Sequence, residues 1–394
     1  MKPTTARRTL ATGVALVATG VLPSFLVASM APRIRADFAF GDSALGLAVA
    51  AFYLVSALSS TPAGRLVDRV GPGWGARLAG ALTAAACVAI AALASSAVGL
   101  TVILLLSALG NAVAGPSTSA LLKQRFPPER HGVGYGAQHA GAPLGALLAG
   151  LALPLVAIPL GWRWGFVATA VMAALAVALA PAGAPSPGAP SRLGAGARGL
   201  SSVHALALAA VLAGAAGAGM VSFLVVYAVE TGMSQTSAGL LLSAVSLAAA
   251  TSRVALGAIA DRRGHDPLRP VVVMLAASAA AYATLIAEAP AAVVAGSLLA
   301  GTLGWAWPGA MNLAVVERNP EEPARAAGIM LTGLFTGAVA GPLLVGLLAE
   351  ADLFVAAWLT CAVFALLAAL TVAAVIRSGS RPEASGTRTR TRSR

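Results

Sequence analysis

Apolar residues run along this chain in long blocks, and polar residues are confined to the gaps between them. Twelve blocks can be marked, at roughly 9–31, 43–63, 75–97, 98–122, 131–157, 163–182, 203–228, 236–258, 270–288, 290–315, 326–349 and 353–376. Each holds about 20 residues, enough for a helix to cross ~30 Å of hydrocarbon. The element predicted for every block is therefore a membrane-spanning helix, numbered 1 to 12 in chain order. Almost no loop separates the blocks that meet near Ala97 and Pro290. Of 394 residues, 58% are hydrophobic and 10% charged. A soluble core of this size does not hide so much apolar surface, so the excess needs lipid.

The gaps carry a repeat. Gly64-Arg65-Leu66-Val67-Asp68-Arg69-Val70-Gly71 reads G-x-x-x-D-R-x-G after helix 2, and Gly257-Ala258-Ile259-Ala260-Asp261-Arg262-Arg263-Gly264 reads the same way after helix 8, 193 positions later. Ser24-Phe25-Leu26-Val27 in helix 1 recurs as Ser222-Phe223-Leu224-Val225 in helix 7. Helix 5 carries Gly132, Gly141, Gly145 and Gly150, and helix 11 carries Gly328, Gly337, Gly341 and Gly346, each 196 further on. Small residues at four-residue spacing let membrane helices approach closely, so packing is the expected role of these glycines. The chain reads as a duplication, and duplicated bundles with a site between the halves are a transporter architecture. The domains expected are a six-helix bundle over 1–182, a linker rich in Pro, Gly and Ala over 183–202, a second six-helix bundle over 203–376 and a basic tail over 377–394.

Net charge is +12, which suggests nucleic acid until the charges are placed. With a cytoplasmic N-terminus, only Arg33, Arg35 and Arg163 of the 26 basic residues fall outside. This obeys the positive-inside rule for an even number of spans with both termini cytoplasmic. No nucleic-acid partner is expected. Lys2, Arg7 and Arg8 before an apolar stretch mimic a signal peptide, but the stretch is long and more spans follow, so it reads as a retained helix 1. Cys87 and Cys361 lie in apolar helices and read as small core residues rather than a disulfide.

Twelve helices as six plus six, with G-x-x-x-D-R-x-G between helices 2 and 3, resemble the major facilitator superfamily over essentially the whole chain. Gln124-Arg125-Phe126-Pro127-Pro128-Glu129-Arg130-His131-Gly132 before helix 5 and Gly161-Trp162-Arg163-Trp164-Gly165-Phe166 opening helix 6 also fit. Gly141-Ala142-Pro143-Leu144-Gly145 is similar to bacterial cyanate and nitroimidazole permeases. The fold this implies is an all-α integral membrane protein of two pseudo-symmetric six-helix bundles. The resemblance also implies that Asp68 and Arg69, with Asp261 and Arg262, form charge networks that hold the cytoplasmic side closed. Arg253, eight residues before Asp261, has Ser60 as its counterpart and would add charge to the second network. Gly64, Gly71, Gly257 and Gly264 complete this gating set. Two departures stand out. Pro72 and Gly73 follow the first motif where the family has basic residues, and helix 4 lacks the embedded arginine of many proton-coupled drug exporters.

Polar groups in hydrocarbon are costly, so each is a candidate for a central cavity. Helix 5 places Tyr135, Gln138 and His139 on one face; helix 4 offers Asn111 and Thr118; helix 10 offers Trp305 and Asn312. Helix 7 adds Ser222, Phe223 and Tyr227, and helix 1 adds Ser24 and Phe25. His139 is the one ionisable group these blocks place deep inside a helix, which makes it a candidate proton carrier as well as a structural residue. Without a buried Lys or Arg, the cavity is expected to suit a neutral or weakly charged, partly apolar solute. Four scattered histidines without metal-ligand spacing and no phosphate-binding G-x-x-x-x-G-K-[ST] loop argue against an enzyme. No cofactor is expected, and coupling is by proton or absent. The expected protein is a monomeric secondary transporter of a small organic solute in a bacterial cytoplasmic membrane. Drug or metabolite efflux is the alternative, and a non-transporting solute sensor is a more distant one.

Overall fold

The computed structural model describes residues 3–38, 42–181, 197–263 and 266–379. Among these, every regular element is helical. Helix 1 is Pro3–Ser29, helix 2 Asp42–Val70, helix 3 Pro72–Leu93, helix 4 Ala97–Arg125, helix 5 His131–Ala152 and helix 6 Arg163–Leu179. Helix 7 is Ala197–Glu230, helix 8 Gln235–Arg263 and helix 9 Leu268–Thr284. Helix 10 is broken into Pro290–Leu299 and Pro308–Arg318, followed by helix 11 at Pro323–Glu350 and helix 12 at Phe354–Gly379. Most of the expected linker (residues 183–196) and of the basic tail (residues 380–394) lies outside the described residues, as do residue 182 and Gly264.

Ten of the helices are long and apolar enough to cross a membrane on those grounds alone. Helix 6 is shorter, with 17 residues, and helix 5 is diluted by glycine and polar side chains, yet both complete the alternation. Several helices outlast their apolar blocks. Helix 1 starts at Pro3, helix 2 ends at Val70 and helix 7 starts at Ala197. The extensions all lie at the end that carries the two D-R-x-G turns, called here the motif side. An apolar block measures hydrocarbon thickness, while a 29-residue helix is ~43 Å long and continues into the polar layer.

The outer surface is apolar. Val98 is 74% exposed, Leu93 70% and Leu58 69%, as a lipid-facing wall requires. Helix ends are satisfied by arginines. Arg8 donates to the carbonyls of Leu179 and Ala178 at the end of helix 6, at 2.7 and 2.9 Å. Arg163 donates to Ala91 and Ala94 at the end of helix 3, at 3.2 and 2.8 Å, which explains a basic residue on the side opposite the motifs.

The cores differ between the two sides. Away from the motifs, each lobe keeps its own. Leu26, Phe52, Ile90, Leu104 and Phe166 cluster within the first lobe, and Met220, Tyr227, Tyr282, Phe354 and Trp358 within the second. On the motif side the cores mix, so that Ala57 joins second-lobe residues, Ala324 joins first-lobe residues, and Leu122, Phe126 and Tyr135 pack with Leu313 and Val316. The lobes are therefore joined at the motif side and separate beyond it.

Within each lobe the repeated glycines seat one helix pair. A Cβ at Gly141 or Gly145 would meet backbone of helix 1 at Val14 or Ala18, and one at Gly337 or Gly341 would meet backbone of helix 7 at Val211 or Ala215. Gly341→Val should lower the unfolding free energy of the detergent-solubilised protein by about 1–3 kcal/mol, through overpacking. Gly150→Ala, whose Cβ would meet nothing within 4 Å, should leave it unchanged. Equal effects in chemical denaturation would remove the packing role.

Candidate functional site

The interface between the lobes is built on a four-residue ladder. Asp261, Gly257 and Arg253 lie at i, i−4 and i−8 on helix 8, so one face presents all three. Asp68, Gly64 and Ser60 repeat that face on helix 2. Helix 8 faces helix 5 and helix 2 faces helix 11, each pair crossing from one lobe to the other.

The carboxylates cap the opposing helices. Asp68 Oδ1 and Oδ2 accept from the amides of Ala324 and Arg325 at 3.1 and 2.8 Å. Asp261 Oδ1 and Oδ2 accept from Gly132 and Val133 at 2.6 and 2.8 Å. Both recipients are the second and third residues of their helices, whose N–H groups have no intrahelical partner. Negative charge at that end is also favoured by the helix dipole.

The motif glycines then have separate reasons. A Cβ at Gly64 would meet the Ala324 carbonyl, and one at Gly257 would meet Gly132 backbone, so both are points of backbone contact between lobes. Gly71 has φ of 91°, which favours glycine, and it starts helix 3. Arg69 and Arg262 remain exposed. His131 Nδ1 also lies 3.8 Å from Glu317 Oε1 of helix 10.

One turn deeper the contacts become polar side chains. Tyr135 donates to the Ser119 carbonyl at 2.8 Å. Gln138 Nε2 donates to Thr118 Oγ1 and Ser119 Oγ at 2.8 and 3.1 Å. Asn312 Nδ2 lies 2.8 Å from Ser119 Oγ and 2.9 Å from His139 Nε2, tying helix 10 to helices 4 and 5 across the interface. Thr61 and Thr332 hydroxyls meet at 2.9 Å between helices 2 and 11.

Arg253 requires a correction. The apolar blocks place it towards the end of helix 8 and leave His139 as the one deep ionisable group. Arg253 is 4% exposed, well inside helix 8, and it faces helices 5 and 10. Its Nε donates to the Trp305 carbonyl at 3.0 Å, and its Nη1 donates to the His139 carbonyl in the other lobe. Its guanidinium carbon sits 5.2 Å from the centre of the Trp305 ring. The acceptor exists because helix 10 is broken. A π-turn at Ala300–Gly304, ahead of Trp305 and Pro308, frees the Trp305 carbonyl from the helical ladder. The expectation of a cavity without a buried cation therefore fails. The i, i+4, i+8 spacing from Arg253 through Gly257 to Asp261 is the sequence signal that puts Arg253 on the interface face of helix 8.

The other candidates divide. Thr118, Tyr135, Gln138, His139, Trp305 and Asn312 come together at the interface. Asn111 is buried within the first lobe, its Nδ2 3.1 Å from Ser56 Oγ. Ser24 donates to the Val21 carbonyl and Phe25 packs against the first-lobe core. Tyr227 lies in a ring cluster with Phe354 and Trp358, its hydroxyl on the Leu285 carbonyl. Phe223 is half-buried and Ser222 exposed. Tyr53, not singled out in the sequence, packs across the interface against Phe335 with the rings tilted and their centroids 6.2 Å apart. Among the described residues, no three of His, Cys, Asp and Glu gather as metal ligands do.

If the caps hold the interface shut, Asp68→Asn should expose it. With cysteine introduced at buried Ser60, maleimide labelling in membranes should speed up about tenfold, as a shift of ~1.4 kcal/mol would give. An unchanged rate would remove the clamp.

A family model described as Major Facilitator Superfamily matches residues 9–287 and 206–393. An uncharacterized MFS-type transporter of Mycobacterium tuberculosis, found in strains CDC 1551 / Oshkosh and H37Rv, is 31% identical over 320 residues, covering 77% of this chain and 71% of the relative. The fucose:proton symporter of Escherichia coli superposes with a TM-score of 0.73 at 16% identity, over 93% of this chain and 98% of that one. The human organic anion transporter superposes with a TM-score of 0.74 at 18% identity, over 94% of this chain and all of that one. At these identities the two solved structures speak to the fold.

Proposed function

The chain belongs to the major facilitator superfamily, and on that premise we propose that it is a secondary transporter that moves a small organic solute across a bacterial cytoplasmic membrane by alternating access. The observation that carries the reading is the paired clamp, in which a carboxylate of each lobe seats on a helix start of the other. A static membrane scaffold has no need for two equivalent interfaces held by groups that separate as units. Here the motif side, taken as cytoplasmic from the distribution of basic residues, is closed, while the cores beyond it are separate. That is the arrangement of an outward-facing state.

Rocking would break both clamps together, because each joins the same two bodies. The glycine contacts favour this motion, since smooth backbone surfaces can part without unlocking side chains. The polar layer of Gln138, His139, Ser119 and Asn312 lies between the clamps and the separated region. It is where a solute entering from the open side would meet the closed floor.

Spin labels test this without knowledge of the solute. In a background with Cys87 and Cys361 replaced by Ala, one pair of cysteines replaces exposed Glu129 and Glu321 on the motif side. A second pair replaces exposed Leu160 and Asp352 on the far side. Asp68→Asn with Asp261→Asn should lengthen the first distance and shorten the second. Two unchanged distance distributions would sink alternating access.

A further inference from the structure

Arg253 carries more charge than the closed interface needs. Ser60, its counterpart in the repeat, occupies the same rung of the ladder, and a Cβ at Gly328 of helix 11 would meet the Ser60 carbonyl. There a hydroxyl suffices, bonded to its own helix at Ser56. Close approach of the lobes therefore does not require a cation at this depth.

The cation is also not neutralised by the protein. Arginine keeps its charge even when buried, and an isolated charge at membrane depth is costly. Its two acceptors are carbonyl dipoles, those of His139 and Trp305. Among the described residues, no Asp or Glu pairs with it. Asp261 on its own helix is eight residues away, ~12 Å along the axis, and is committed to Gly132 and Val133. Glu317 of helix 10 faces His131 instead. The groups that meet its guanidinium from helices 5 and 10 are the His139 and Trp305 carbonyls and the Trp305 ring, which supply no full negative charge.

We propose that Arg253 binds the negatively charged end of an organic anion, a carboxylate, and that this anion is the transported solute. The proposal rests on the transporter reading and names its substrate class. A guanidinium offers donors in a planar fork that matches a carboxylate with two parallel hydrogen bonds. One of its present partners, the His139 carbonyl, belongs to the opposite lobe. When the lobes part at the motif side, Arg253 keeps the Trp305 carbonyl of its own lobe and loses that of His139. A carboxylate then replaces a neutral dipole with a full counter-charge. Trp305 is half-buried with its ring against the guanidinium, so it gives the body of the solute a flat apolar surface. Binding is thereby coupled to the opening of the interface, because solute and the His139 carbonyl compete for the same donor, Nη1.

The test compares acids with their own amides. Purified wild-type protein is screened by thermal shift at constant ionic strength against acetate, pyruvate, succinate, benzoate and salicylate, and against the corresponding uncharged amides. At least one acid should raise the melting temperature in a concentration-dependent way, with its amide giving no shift. Arg253→Gln should weaken that acid at least tenfold, and Arg253→Lys should weaken it less. The proposal is overturned if no acid stabilises the wild type, if amides do so equally, or if Arg253→Gln binds the acid as the wild type does. Should Arg253→Gln fail to give a single size-exclusion peak, the acid–amide comparison on wild type decides alone. Uptake into proteoliposomes separates the two readings. An amide that binds and is carried overturns the anion site and leaves the transporter. An acid that binds through Arg253 and is not carried leaves the site and removes transport.

Discussion

A carboxylate seated on the first free amides of a helix in the opposite lobe sets the geometry of the closed interface. Asp68 and Asp261 each use both oxygens, so each fixes the position and rotation of the helix it caps as well as its distance. Everything above follows in register. Four residues from each Asp stands a glycine where backbones touch, and four further stand Ser60 or Arg253. The amides on the receiving helix have no other partner, so parting the lobes costs both the hydrogen bonds and the charge–dipole attraction unless water replaces them. Such a contact is strong while the interface excludes water, and water is able to take its place where it enters.

The two halves share this device and differ in what they put behind it. Behind the first clamp are hydroxyls and an aromatic pair, Thr61 with Thr332 and Tyr53 with Phe335. Behind the second are Arg253, His139, Asn312 and a broken helix. A duplicated fold with one polar and one mostly apolar flank can place a charged group of a solute on one side and its apolar body on the other.

The bilayer explains why polar residues in this sequence are hard to assign from spacing alone. Many hydroxyls inside the helices bond to a carbonyl one turn back in the same helix. Thr12, Thr19, Thr101, Thr302 and Ser297 all do so. Such residues are satisfied locally and can face lipid, core or cavity. Asn319 at the end of helix 10 also bonds one turn back, to the Val315 carbonyl, whereas the deep groups Gln138, His139 and Asn312 have partners on other helices. Ser24 and Tyr227 turned instead to carbonyls near at hand in the fold.

The sequence by itself determined the number of spans, the duplication and the family, because each rests on local quantities: apolar length, repeat offset and motif spacing. The resemblance to the family pointed to Asp68 and Asp261 as the gating residues, while the positive φ of Gly71 and the amides that the two carboxylates cap came from the structure. The sequence could not decide which helix each face meets. That depends on packing between residues more than 100 positions apart, such as Asp261 with Gly132 and Asp68 with Ala324. Nor could it show that Arg253 lies buried against a carbonyl released by the break in helix 10. Burial is a property of the assembled bundle, and only the tertiary structure turned a charge counted near a loop into a cation held between the lobes.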